Sequence, residues 1–242
     1  MSTLLLVHGG WCSSWVWDRL LPELNGLEVP FKTVDLPGHG LVRKPIWSIS
    51  MRSYAKCVSD AADAIDGRVI AVGHSAGGFA ITAAAGYSPE AFDELVYLAG
   101  FVPEKGERLI QLSLGDKKSK LGPGVRPNPI KGRVSLHPRV WSEALFHDCA
   151  EEEEQEFAQR VESEPLRPGL SKLSLKEGFA EVPKHYILCT EDKAITPEYQ
   201  RWMARRSNVQ ISHELQCGHM PMLAKPKELA RTLAQYVRSE HG

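Results

Sequence analysis

Apolar residues along the 242-residue chain follow two alternating patterns. Short runs rich in Val, Ile and Leu recur at 3–7 (TLLLV), 30–35 (PFKTVD), 68–73 (RVIAVG), 94–99 (ELVYLA), 184–189 (KHYILC) and 209–215 (VQISHEL), each of strand length. Between them, 54–65, 76–87, 198–206 and 227–237 repeat apolar positions at helical spacing. Strand and helix in alternation predict an α/β fold. About six strands form a mostly parallel sheet covered by helices on both faces, because parallel neighbours need a crossover that returns the chain to the same edge.

The alternation stops between 103 and 180. That segment is rich in charge and proline, with GDKKSK at 115–120, GPGVRPNP at 122–129 and EEEEQEFAQRVESE at 151–164. It reads as an insertion over the carboxyl edge of the sheet, with one or more helices around 139–163 and charge runs that form solvated faces. The expected organisation is a core of 1–102 and 181–242 with a cap insertion at 103–180. Neither repeats nor a second independent core are expected.

Composition excludes several classes of function. At 43% hydrophobic and 24% charged residues the chain buries one full core. Lys and Arg number 29 against 30 Asp and Glu, a formal charge of -1, which recommends neither nucleic acid nor an anionic membrane as partner. The expected partner is a small, roughly neutral molecule. No apolar run approaches the ~18 residues that span a bilayer, and no basic segment precedes LLLV at 4–7, so a cytoplasmic protein is expected. Cys12, Cys57, Cys149, Cys189 and Cys217 are odd in number, widely spaced and without a CxxC pair. That argues against a disulfide framework and a zinc site, and no metal or cofactor is expected.

One motif changes the picture. GHSAG at 73–77 places Ser75 between two glycines, after the strand RVIAV and at the start of an alanine-rich helix. A sharp strand-to-helix turn of this kind forces the serine into a strained conformation with its hydroxyl exposed, and the glycines remove the Cβ atoms that would collide with neighbouring backbone. A serine hydroxyl is a weak nucleophile near neutral pH, so it needs a histidine base and an acid to orient that base. Both lie downstream. Asp192 follows the strand 184–189 and His219 follows the strand 209–215, which puts all three candidates at carboxyl ends of strands in the order Ser, Asp, His. Donors for an oxyanion are expected from the N–H of Ala76, at a helix N-terminus, and the N–H of Gly10, in the loop after the first strand.

These pieces resemble the α/β-hydrolase superfamily and, within it, the small plant methylesterases and hydroxynitrile lyases with their bacterial relatives. The likeness rests on LLVHGGWCSSWVW (5–17), DLPGHG (35–40), VGHSAGG (72–78), CTEDKAITPEYQRWM (189–203) and GHMPMLAKPKEL (218–229). It covers both ends of the chain and matches 103–180 poorly. The resemblance implies an α/β-hydrolase fold without the amino-terminal hairpin of larger relatives, a cap that shapes an apolar pocket, and a homodimer. Hydroxynitrile lyases of this group place Lys directly after the histidine and Thr in the oxyanion loop, where this chain has Met220 and Gly9. That difference points to ester hydrolysis. The plant esterases usually carry Asp before the histidine, and Gly218 stands here instead.

The sequence reading is therefore a serine hydrolase that cleaves a small apolar or aromatic carboxylic ester through Ser75, His219 and Asp192. Glu191 and Glu104 are weaker candidates for the acid. Gly9, Trp11 and Met220 are candidate substrate contacts, Met220 and Met222 fitting a pocket wall and a core equally well. Trp15 and Trp17 read as packing, and His8 and His39 as turn-stabilising. Two further readings stay open: the same triad in lactone or C–C bond hydrolysis, perhydrolysis or lyase chemistry, and a small-molecule binding protein on a hydrolase scaffold.

Overall fold

The computed structural model describes residues 1–238. In chain order its strands are β1 (Ser2–Val7), β2 (Phe31–Val34), β3 (Arg68–His74), β4 (Glu94–Leu98), β5 (Val125–Asn128), β6 (Arg133–Leu136), β7 (Glu164–Pro165), β8 (Lys184–Cys189) and β9 (Gln210–Leu215). Its α-helices are α1 (Leu20–Gly26), α2 (Met51–Asp63), α3 (Ala76–Tyr87), α4 (Leu109–Gly115), α5 (Glu151–Gln159), α6 (Leu166–Leu170), α7 (Pro197–Arg206), α8 (Pro221–Ala224) and α9 (Pro226–Arg238). The central sheet has six strands in the order β2-β1-β3-β4-β8-β9, and every pairing in it is parallel. This is the parallel α/β architecture of about six strands that the alternation of elements predicts.

Burial on both faces explains the apolar runs. Leu4, Leu5 and Leu6 are fully buried although they alternate between faces, and each such side chain contributes about 1.5–3 kcal/mol relative to exposure. Helix α3 is buried on all sides apart from its ends, which requires small residues, and AGGFAITAAAGY supplies them. Helix α2 opens with a reciprocal cap in which Ser50 and Ser53 each accept the other's backbone N–H.

The segment 103–180, expected as a cap, differs from its expected form. A π-helical turn at Trp141–Leu145 and helix α5 account for the helices expected around 139–163. The charge- and proline-rich stretch before them also carries two strands, which join β7 in a three-stranded antiparallel sheet, β5-β6-β7. Its strands lack an apolar alternation: β5 is VRPN with three exposed residues, Pro127 stands in an edge strand where its missing N–H costs little, and β7 has two residues. The cap has no core of its own. Leu136, Val140, Leu145, Phe146 and Phe157 pack into the same cluster as Trp15, Trp17 and Met220. Among the described residues no helix is long and apolar enough to cross a membrane.

Candidate active site

The carboxyl ends of β1, β3, β8 and β9 carry the candidate reacting groups. Ser75 follows β3 with φ 52° and ψ −120°, a conformation that costs on the order of 1–3 kcal/mol in a residue other than glycine. The fold holds it there through Ser75 N–H to Leu98 O at 3.2 Å and through Phe101 N–H to Ser75 O at 3.0 Å. The flanking glycines are dictated by space: a Cβ on Gly73 would stand 2.6 Å from Gly77 O, and one on Gly77 would stand 2.6 Å from the carbonyls of Val7 and His8.

Asp192 and His219 meet directly. His219 Nδ1 lies 2.7 Å from Asp192 Oδ2, with both residues buried. A carboxylate can only accept, so Nδ1 carries the proton and Nε2 is the basic nitrogen. The remaining capacity of Asp192 is filled: Oδ1 accepts from the N–H groups of Ala194 and Ile195 at 2.7 and 2.9 Å, and Oδ2 also accepts from Gln200 Nε2 at 2.9 Å. Four donors hold the carboxylate in place within the interior. Glu191 follows the same strand, and its N–H binds Cys217 O. Glu104 sits beside Glu107 and Ser207, on a separate open cleft of about 540 Å³ that holds none of the triad candidates.

His74, one residue before the nucleophile candidate, joins it to the histidine loop. Its Nε2 lies 2.8 Å from His219 O, and the two rings are 4.8 Å apart. Burial, reinforced by His219, pushes the His74 pKa well below the ordinary histidine value, so its ring is neutral. A neutral neighbour leaves a positive charge on His219 unopposed. Sequence alone singles out neither His74 nor Gln200. A glutamine is an unremarkable helix residue until the fold places it opposite the buried Asp192.

Ser75 opens onto a cavity of about 120 Å³. Gly10, Trp11 and Ala76 line it, and a Cβ on Gly10 would stand 3.7 Å from Ala76 Cβ, so the two candidate oxyanion donors flank one end. Phe101, Leu109, Leu121, Leu166 and Ile195 make most of the remaining wall apolar, with α4 and α6 at its outer side. Gly9 and Met220 are placed elsewhere. Gly9 packs behind the wall, where a Cβ would meet Ser75 Cβ and His74 Nδ1 at 2.9 Å, and Met220 is buried in the core cluster with Met222.

Gly218 has a steric reason of its own. A Cβ there would stand 2.5 Å from His147 Cε1 and 2.6 Å from Asp148 Oδ1, and its N–H donates to Asp148 Oδ2 at 2.6 Å. The cap thus supplies a carboxylate at the position where the plant esterases usually carry one in the loop itself.

Glu164 was not among the sequence candidates. It reaches the oxyanion loop from β7, accepting from Trp11 N–H at 3.1 Å, His39 Nε2 at 3.0 Å and Tyr54 hydroxyl at 3.0 Å. Trp11 has φ 60°, and its indole N–H and carbonyl are also tied to the cap, at Val134 O and Glu162 N–H.

The sequence profile of the Alpha/beta hydrolase family matches residues 4–232. The chain belongs to that family. Among relatives in the alpha/beta hydrolase family, it is 28% identical to methylesterase 1 of Arabidopsis thaliana, over 93% of this chain and 92% of that one. It is 27% identical to an alpha-hydroxynitrile lyase of the same plant, over 95% of each chain. A pyrethroid hydrolase from Sphingobium faniae superimposes with a TM-score of 0.89 at 20% identity, covering 99% of this chain and 98% of that one, a likeness of fold.

Proposed function

We propose that this alpha/beta hydrolase cleaves a small, apolar carboxylic ester by acyl transfer through Ser75. One observation carries the reading: a serine held in a strained strand-to-helix turn opens onto an apolar cavity, and His74, the residue before it, touches a histidine whose Nδ1 is fixed by a buried, fully bonded carboxylate. His219 takes the proton of Ser75 as the hydroxyl attacks the ester carbonyl. The N–H groups of Gly10 and Ala76 hold the oxyanion, and His219 then protonates the departing alcohol. Water repeats the sequence on the acyl-enzyme, with Asp192 orienting His219 and stabilising its cation throughout. The mainly apolar wall of the cavity suits an apolar acyl or alkoxy group. Kinship with a methylesterase supports ester chemistry, and Met220 in place of Lys after the histidine weighs against the lyase alternative.

The test is hydrolysis of p-nitrophenyl esters from acetate to decanoate, plus an aromatic acyl ester, by the wild type and Ser75→Ala side by side. Turnover that peaks at a short acyl chain and vanishes in the variant is expected. Turnover that persists in Ser75→Ala would remove Ser75 from the mechanism, and a wild type inert to all of them would shift the search to lactones, C–C substrates and ligand binding.

A further inference from the structure

The cavity beside Ser75 is apolar except for a few groups, and Glu164 is the one that matters for substrate charge. It lines the cavity, and its Oε2 stands 3.4 Å from where a Cβ on Gly10 would be. Burial works against its charged form but is outweighed by His39, whose charge and hydrogen bond, with those from Trp11 N–H and the Tyr54 hydroxyl, hold the carboxyl below its ordinary range. His39 is fully buried and absent from the cavity wall, so the wall presents the anionic end of the pair. A second carboxylate on the wall, Asp116, is occupied by Thr196 N–H at 2.7 Å, Thr196 hydroxyl at 3.0 Å and Lys118 N–H at 3.2 Å. Neither Lys nor Arg lines the cavity among the described residues. A carboxylate on the ligand would meet the carboxyl groups of Glu164 and Asp116, with neither Lys nor Arg on the wall and the His39 ring buried behind Glu164.

We propose that Glu164 sets the charge selectivity of this site: it admits neutral esters, favours those carrying a cationic group, and turns away esters that carry a carboxylate. The proposal rests on the reading of the cavity as an ester-hydrolysing site. The same repulsion acts on the carboxylate product and speeds its departure.

Two matched substrate series test it. The first is the acetates of choline, of its uncharged tert-butyl isostere and of a hydroxycarboxylic acid of similar length; the second is the methyl esters of the three corresponding acids. Acid release is followed for the wild type, Glu164→Gln and Glu164→Asp, and the readout is the ratio of kcat/KM within each variant, which a general loss of folding or activity leaves unmoved. In at least one series the wild type and Glu164→Asp should rank cationic above neutral above anionic, with steps of about tenfold, and Glu164→Gln should flatten the ranking. Hydrolysis by the wild type without that ranking, or a ranking that Glu164→Gln preserves, overturns the proposal and leaves ester hydrolysis standing. Absence of any hydrolysis in both series and in the p-nitrophenyl panel overturns both.

Discussion

Gln200 Nε2 stands 2.9 Å from Asp192 Oδ2, the same oxygen that receives His219 Nδ1. Gln200 is fully buried, and its amide spans the end of β8: Nε2 also donates to Ile195 O at 2.7 Å, and Oε1 accepts from Cys189 N–H at 3.2 Å. One side chain therefore fixes both the carboxylate and the turn that carries it.

From this arrangement Gln200→Met should lower kcat/KM by about 10–100-fold. A hydrogen bond to a charged group is worth about 1.5–3 kcal/mol, and each 1.4 kcal/mol is tenfold. The loss should fall on kcat more than on KM, because Gln200 is absent from the cavity wall. Asp192→Asn should cost far more, about 10⁴-fold, since an amide at that position can stabilise the wrong imidazole tautomer. Steady-state kinetics of both variants on one ester check this; equal losses, or a purely KM effect for Gln200→Met, would contradict a positioning role.

How much of this site was legible in the sequence depends on how far apart its partners lie. Ser75, Asp192 and His219 stand out as candidates because each follows a strand that the sequence pattern predicts, and strand ends in a parallel sheet converge on one edge. Gln200 lies only eight residues from Asp192, yet it points at its partner only once α7 packs beneath the loop. Glu164 is separated by 153 residues from Trp11 and by 125 from His39, so no local pattern announces it. The fold divides along the same line. Buried strands such as β3 and β4 stand out as apolar runs, whereas α1, with Pro22 and Gly26 inside seven residues, and β5 and β7 in the cap carry almost no periodic signal.

His8 gives the protein a specific response to acid. Its Nε2 accepts from Leu36 N–H at 3.0 Å and its Nδ1 faces Gly9 O at 2.8 Å, an arrangement that requires the neutral ring. Burial first, and the nearby His39 second, push its pKa down from 6.5 to about 4. The unfolded chain therefore takes up a proton that the folded chain refuses. Stability contributed by the neutral ring is complete above pH 6.5 and is lost as pH falls towards about 4, a loss on the order of 3 kcal/mol. His39, shifted upward through Glu164 despite its burial, acts in the opposite sense and loses its contribution only as pH rises above 6.5. Urea unfolding at about pH 7.5, 5.5 and 4.5 should show the wild type weakening more steeply than His8→Gln. Parallel curves for the two proteins would show that His8 is not the group responsible.

Gly218 and Asp148 make the sharpest test of how the cap and the histidine loop fit together. Gly218→Asp restores the residue that the plant esterases usually carry, and it should nevertheless impair this protein. Its Cβ would collide with His147 and Asp148, and its carboxylate would face that of Asp148. Overpacking of this kind costs about 1–3 kcal/mol, and like charges in a part-buried site add to it. Because the collision is with the cap, the penalty should shrink when the cap residue is removed: Gly218→Asp combined with Asp148→Gly should recover part of both the melting temperature and kcat lost by Gly218→Asp alone. Residues in contact are where additivity fails, so a double-mutant cycle isolates the interaction. Strict additivity in stability and in kcat would mean that the loop before His219 is indifferent to the cap, and that Gly218 has its conformation for some other reason.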